Sequence, residues 1–141
     1  MKRILVINGP NLSLLGTREP DIYGHETLDD INNKISDLAV ELGAELDFFQ
    51  SNVEGEIVNK IIEFRGIADG LIINAGAYTH TSIAIADCIK ATGMRAVEVH
   101  LSNVYSREIE RHTSMLSAVC VGGVYGFGSL SYTLALRAIL G

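Results

Sequence analysis

Two stretches of this chain are apolar without a break, Ile4-Leu5-Val6-Ile7 and Leu71-Ile72-Ile73. A strand with one wet face alternates polar and apolar residues, so a strand without alternation must be covered on both faces. Few architectures satisfy that demand, and the usual one places helices on both sides of a mostly parallel sheet. The remaining segments keep the same rhythm. Strands are expected at Arg3–Asn8, Ala44–Gln50, Gly70–Asn74, Ala96–His100 and Val119–Val124. A first helix starts at Thr27, whose spacing to Asp30 is that of a capping box. Its stripe is Leu28, Ile31, Ile35, Leu38 and Leu42, and Gly43 ends it. Further helices are expected at Glu54–Phe64, closed by Gly66, at Thr81–Ala91, stopped by Gly93, and at Leu130–Leu140. The third of these four is apolar nearly all round, which points to contacts on more than one side. Residues 101–117 read as a polar connection with one or two helical turns. The expectation is a three-layer α/β fold with a five-stranded parallel sheet and right-handed crossovers, formed by one domain over 1–141.

Composition narrows the function. With 141 residues, 48% of them hydrophobic, the chain can bury one core. Net charge is −6, and the acidity lies in the first half: residues 1–70 hold 13 acidic and 6 basic side chains, residues 71–141 hold 4 and 5. No basic stripe is present to neutralise phosphates, which argues against nucleic-acid binding. A few arginines focused in a cleft can still attract a small anion. No apolar stretch approaches the ~20 residues that cross a bilayer, so no membrane partner is expected. Met1-Lys2-Arg3 and the apolar run after it stop at Asn8-Gly9-Pro10-Asn11, as a strand does and a targeting segment does not. Cys88 and Cys120 are far apart in apolar surroundings, consistent with buried thiols in a reducing, cytoplasmic compartment. No zinc-ligand spacing, serine elbow, phosphate loop or dinucleotide fingerprint occurs, so neither metal nor cofactor is expected.

In such folds ligands bind beyond the carboxyl ends of the strands. That rule selects Gly9–Gly24, Asn74–Ser82 and His100–Arg111, where most of the unusual polar residues lie. The first connection is longer than the usual ~2–6 residues, as a lid over about 9–24 would be. It carries Asn11, Arg18, Glu19 and Tyr23. A tyrosine is a poor base at its reference pKa of ~10, and a shielded arginine nearby favours its phenolate. Taken singly, Arg18 suits a solvated surface and Tyr23 a packed sheet edge equally well. In the second connection, Asn74 suits ligand orientation or loop stitching, and His80 suits a neutral hydrogen-bonding group or an ordinary surface histidine. In Glu98-Val99-His100, strand alternation turns Glu98 and His100 to one side. The pair fits a general acid or a structural ion pair. Arg107 and Arg111 share a face if their segment is helical, one free to bind ligand and the other to brace the loop. The reading from residues alone is acid–base chemistry on a polar small molecule.

The polar blocks also resemble, together and in order, the signature of the type II 3-dehydroquinate dehydratases. The blocks are Asn8-Gly9-Pro10-Asn11-Leu12-Ser13-Leu14-Leu15-Gly16, Arg18-Glu19-Pro20, Tyr23-Gly24 and Gln50-Ser51-Asn52 with Glu54-Gly55. They continue with Asn74 to Ser82, Glu98 to Asn103, Arg107-Glu108, Gly126-Phe127-Gly128 and Tyr132-x-Leu134-Ala135-Leu136. The resemblance runs along essentially the whole chain and implies a flavodoxin-like sheet. It implies removal of water from 3-dehydroquinate to give 3-dehydroshikimate in the shikimate or quinate route, by anti elimination through an enolate or enol, without cofactor. On that resemblance Tyr23 matches the base, Arg18 the arginine that activates it, His100 the acid, Glu98 its supporting carboxylate and Asn11 the holder of an enolate-stabilising water. Asn74, Leu101 and Ser102 match carboxylate-binding groups, His80 and Arg111 groups that bind ring hydroxyls, and Asp87 a residue that reaches a neighbouring subunit's site. The implied assembly is a dodecamer built from trimers.

Departures from the pattern are Ser13 for a common asparagine, Val53 for histidine, Ala86 for arginine and Glu110 for phenylalanine. Glu110 would put a carboxylate beside Arg111, either facing solvent or weakening substrate binding. None of the departures removes a matched catalytic residue. The contrasting expectation is a flavodoxin-like binding or assembly protein without activity.

Overall fold

The computed structural model describes residues 1–17 and 19–141. Its sheet has five strands, all parallel, in the order β2-β1-β3-β4-β5. The strands are β1 (Lys2–Asn8), β2 (Ala44–Gln50), β3 (Gly70–Asn74), β4 (Ala96–His100) and β5 (Gly122–Tyr125). The helices are α1 (Pro20–Tyr23), α2 (Leu28–Leu42), α3 (Glu54–Glu63), α4 (Ile83–Thr92) and α5 (Leu130–Leu140). Among the described residues no helix is long and apolar enough to cross a membrane.

Both faces of the sheet are covered, as the unbroken apolar strands require. Ile4 and Val6 of β1 join Ile31 and Ile35 of α2 and Tyr132, Ala135 and Leu136 of α5 in one core. Leu5 and Ile7, one residue out of phase, join Ile57 and Ile61 of α3 and Ile85 and Ile89 of α4 in the other. The period of two along β1 thus feeds two separate cores. Each helix then needs only one apolar stripe.

Local signals set both ends of α2 and the start of α4. Thr27 accepts the Asp30 amide at 3.1 Å, and the Asp30 carboxylate accepts the Thr27 amide at 3.0 Å, closing the capping box. Gly43 ends α2 at φ 71°, a conformation that costs other residues steric energy. Ser82 caps α4 by accepting the Ile85 amide at 2.9 Å.

Three expectations change. The fifth strand begins at Gly122 and runs to Tyr125, whereas the apolar run suggested Val119–Val124. The amides of Val119 and Cys120 turn back to the Leu116 carbonyl at 3.0 and 3.1 Å. That local turn withdraws them from the ladder, and pairing with β4 starts at Val97 opposite Gly122. Cys120 is consequently only half-buried, while Cys88 is buried; both thiols are free. The polar connection before β5 contains three separate 3-10 turns, at Val104–Ser106, Ile109–Arg111 and Ser117–Val119.

Candidate active site

The sheet changes winding direction around β1 and β3, and their last residues, Asn8 and Asn74, are register partners. The chain leaving β1 passes so close to β3 that a Cβ on Gly9 would lie 2.4 Å from the Ala75 carbonyl oxygen. Only glycine permits this approach, and the Gly9 amide uses it to donate to the Asn74 carbonyl at 2.7 Å. Asn11 follows at φ 67°, in the left-handed region that asparagine enters more readily than most residues. The Asn52 side-chain oxygen holds the Asn11 amide at 3.0 Å.

A cleft opens over these strand ends. Asn11, Asn74, His80, His100, Leu101, Ser102 and Arg111 all line it, together with Arg107. The segments singled out beyond β1, β3 and β4 therefore converge. Glu98 lies one strand pleat below His100, and both are buried. His100 Nε2 donates to Glu98 Oε2 at 2.5 Å. Burial pushes the Glu98 carboxyl up, but the bond and charge of His100 and the hydroxyls of Ser114 and Ser117 outweigh it and hold the group below the usual carboxylate value.

His80 is held differently. Its Nδ1 donates to the Thr113 carbonyl at 2.8 Å, which leaves Nε2 as the acceptor of a neutral ring. Burial is the main reason its pKa falls below the ordinary value, with the charges of His100 and Arg111 adding to it. The two imidazoles stack with centroids 6.2 Å apart.

Asn74 is oriented at both ends of its amide. Its oxygen accepts the Gly76 amide at 3.1 Å, and its nitrogen donates to the Tyr132 hydroxyl at 2.9 Å. That hydroxyl in turn donates to Asn8 Oδ1 at 2.5 Å, and burial pushes the Tyr132 phenol far up. Arg111 bonds to Glu108, its neighbour three positions back, while Glu110 is exposed. The carboxylate beside the cleft arginine is therefore Glu108, because the 3-10 turn at Ile109–Arg111 brings residues three apart together.

Asp87 is exposed on α4 and does not line the cleft. Tyr23 ends α1 and Arg18 lies outside the described residues, so their proposed pairing does too. Among the described residues no group of three His, Cys, Asp or Glu is placed to hold a metal ion. Several supporting residues escaped sequence reasoning: Tyr132, Thr113, Ser114 and Ser117. Their spacing to the site residues is large, and a buried tyrosine or a loop serine carries no local signal. Tyr132 did stand in a block that resembled the family, but without a role.

In chemical terms the cleft offers an imidazole backed by a buried carboxylate, a neutral imidazole acceptor, a fixed amide and two guanidinium groups. Such a set can bind an anion with hydroxyl groups and move a proton.

The family model for class II dehydroquinase matches residues 2–140. A 3-dehydroquinate dehydratase of Geotalea daltonii is 55% identical over 137 residues, covering 97% of this chain and 95% of its own. One from Prochlorococcus marinus is 57% identical over 137 residues, covering 97% and 94%. The crystal structure of the type II dehydroquinase from Butyrivibrio crossotus superposes with a TM-score of 0.97 at 42% identity, over 99% of this chain and 98% of the other. With the fold, the strand-end cleft and these likenesses agreeing along the same residues, the chain belongs to the class II dehydroquinase family.

Proposed function

We propose that this chain is a 3-dehydroquinate dehydratase, which removes water from 3-dehydroquinate to give 3-dehydroshikimate by anti elimination through an enolate or enol. The observation that carries this reading is His100, backed by the buried Glu98 carboxylate, in a cleft that Asn74, Ser102 and Arg111 also line. Relatives more than half identical to this chain bear the name of that activity.

The reaction needs a base for the C2 proton, an acid for the departing C1 hydroxyl and donors for the substrate carboxylate. His100 is the acid. Its Nε2 is committed to Glu98, so Nδ1 meets the leaving group, and Glu98 supplies the negative charge that a protonated ring needs beside it. Asn74, the Leu101–Ser102 segment and the cationic side of the cleft receive the carboxylate. His80 accepts from a ring hydroxyl through its unprotonated Nε2, and Arg111 binds a second hydroxyl. Tyr23 is the base and Arg18 its activator, both on the 9–24 connection, which acts as the lid. Asn11 holds the water that stabilises the enolate. A base on the lid and an acid on a strand end can address opposite faces of the ring, as anti elimination demands.

The whole chain acts as one catalytic domain. Asp87 serves the site of a neighbouring subunit in a dodecamer of trimers, and the enzyme works in the cytoplasm in aromatic amino-acid biosynthesis. Sedimentation of purified protein tests the assembly.

Purified protein incubated with 3-dehydroquinate should develop the enone absorbance of the product. Tyr23→Phe should lower the rate by about 10²–10⁴, the usual contribution of a positioned base. A folded, assembled wild type that produces no enone overturns the proposal in favour of a non-catalytic relative.

A further inference from the structure

We propose that Ser114 and Ser117 are positioning residues for the acid half of the reaction: their hydroxyls occupy Glu98 Oε1 and so leave Oε2 to His100. The inference rests on the reading of His100 as the acid.

Each hydroxyl donates to Glu98 Oε1 at 2.9 Å, while Oε2 takes His100 at 2.5 Å. The carboxylate thus has a divided set of partners, one oxygen for structure and one for chemistry. The two serines are not equivalent. A hydroxyl has one proton and two lone pairs. Ser114 Oγ already accepts the Leu116 and Ser117 amides, both at 3.1 Å. Its lone pairs are filled, so it can only donate to Glu98. A proton on Oε1 would then face the Ser114 proton, donor against donor. Ser117 carries no such load and could turn to accept from a protonated carboxyl. Ser114 therefore favours the ionised state of Glu98, and Ser117 tolerates either state.

The clamp is itself fixed in space. The Met115 amide donates to the Thr79 carbonyl at 2.7 Å, and the Thr113 carbonyl holds His80. One short segment, 113–117, thereby ties the turn after β3 to the carboxylate on β4. From the third side, β5 places Gly123 in register with Glu98 and offers the carboxylate no partner of its own. A Cβ there would meet only the Glu98 backbone oxygen at 3.5 Å and its Cβ at 3.7 Å. The glycine is therefore not forced by a clash, and it lines a cavity of about 170 Å³ beside Glu98 together with Ser114 and Ser117. The other titratable groups facing Glu98 are His80, Tyr105, Arg111, His112 and Tyr125 around that cavity, and Cys120, whose thiol burial and the Glu98 charge push up to about 12.

The test compares Ser114→Ala, Ser117→Ala and Ser114→Thr with wild type. Two readouts are used: carbon-13 NMR titration of the Glu98 carboxyl in resting enzyme, and the pH profile of kcat/KM with 3-dehydroquinate. Ser114→Ala should raise the Glu98 titration and the acid limb of the profile together by about one pH unit, as loss of one bond to a charged group would. It should lower kcat and leave KM within about twofold, since no substrate contact is removed. Ser117→Ala should shift both less, and Ser114→Thr should return them to wild type. A merely structural role predicts lower Tm with an unmoved acid limb, and that result overturns the proposal. So does an unshifted Glu98 titration in folded Ser114→Ala. An inactive wild type whose Glu98 still titrates higher in Ser114→Ala keeps the clamp and overturns only the reaction assigned to it.

Discussion

The turn after β3 and the end of β4 each bring a histidine to the same cleft, and the two rings stack 6.2 Å apart. Their acceptors differ. His80 gives its Nδ1 proton to a backbone carbonyl, while His100 gives its Nε2 proton to a buried carboxylate. A carbonyl fixes a tautomer without adding charge, and burial then keeps the ring neutral. A carboxylate fixes the tautomer and also stabilises positive charge on the ring. One residue type is thus held by a neutral acceptor in one place and by a charged one six ångströms away. The difference lies in what stands behind each ring, not in the ring.

Changing the β4 side should cost most. His100→Asn keeps a polar side chain but removes the proposed acid, and kcat should fall by about 10²–10⁴ with a smaller change in KM. If KM alone moves, His100 binds substrate and the contrast with His80 collapses. Next comes Glu98→Gln, which keeps the shape and deletes the charge. We expect a loss of kcat on the order of 10². The same variant tests linkage. Folding lowers the Glu98 pKa, so in acid the unfolded chain binds more protons than the native one. The stability this contributes is complete above the ordinary carboxylate pKa and is lost as pH falls through the folded value. Wild-type Tm should therefore drop more steeply on acidification than that of Glu98→Gln, and parallel curves would refute the lowered value.

Smaller effects belong to the β3 side. His80→Phe removes a neutral acceptor, so KM should rise about fivefold, the worth of one hydrogen bond, with kcat changed less. A collapse of kcat to the level of His100→Asn would mean that both histidines move protons. Least of all, Thr27→Ala should lower stability by about 1 kcal/mol in denaturant unfolding and leave kcat and KM alone. It breaks the α2 capping box, far from both rings in the chain, and separates losses of function from losses of stability.

The site was unevenly legible. Glu98 and His100 share a strand two residues apart, so alternation alone placed them on one side. The bond between them is the consequence. Thr27 with Asp30, and the glycine ending α2, were equally local and were met where expected. The Val119–Val124 expectation failed at its start because apolar content does not distinguish a strand from a turn that closes on the Leu116 carbonyl. Glu110 stood out as a departure from the family pattern, and its place next to Arg111 in sequence suggested a carboxylate beside that arginine. Neighbours in a tight turn diverge, and Glu108 is the carboxylate that reaches the guanidinium.

What the chain determined by itself was the layered α/β architecture and the strand ends at which chemistry would gather. Hydrophobic periodicity is a local property, and it says which faces must be covered. What only the tertiary structure decided was the electrostatic character of each site residue. Tyr132 reaches Asn74 across 58 positions of sequence, and Ser117 reaches Glu98 across 19. Charge, tautomer and proton affinity depend on such partners within about 3 Å, and no pattern along the chain encodes which distant side chain the fold will place there.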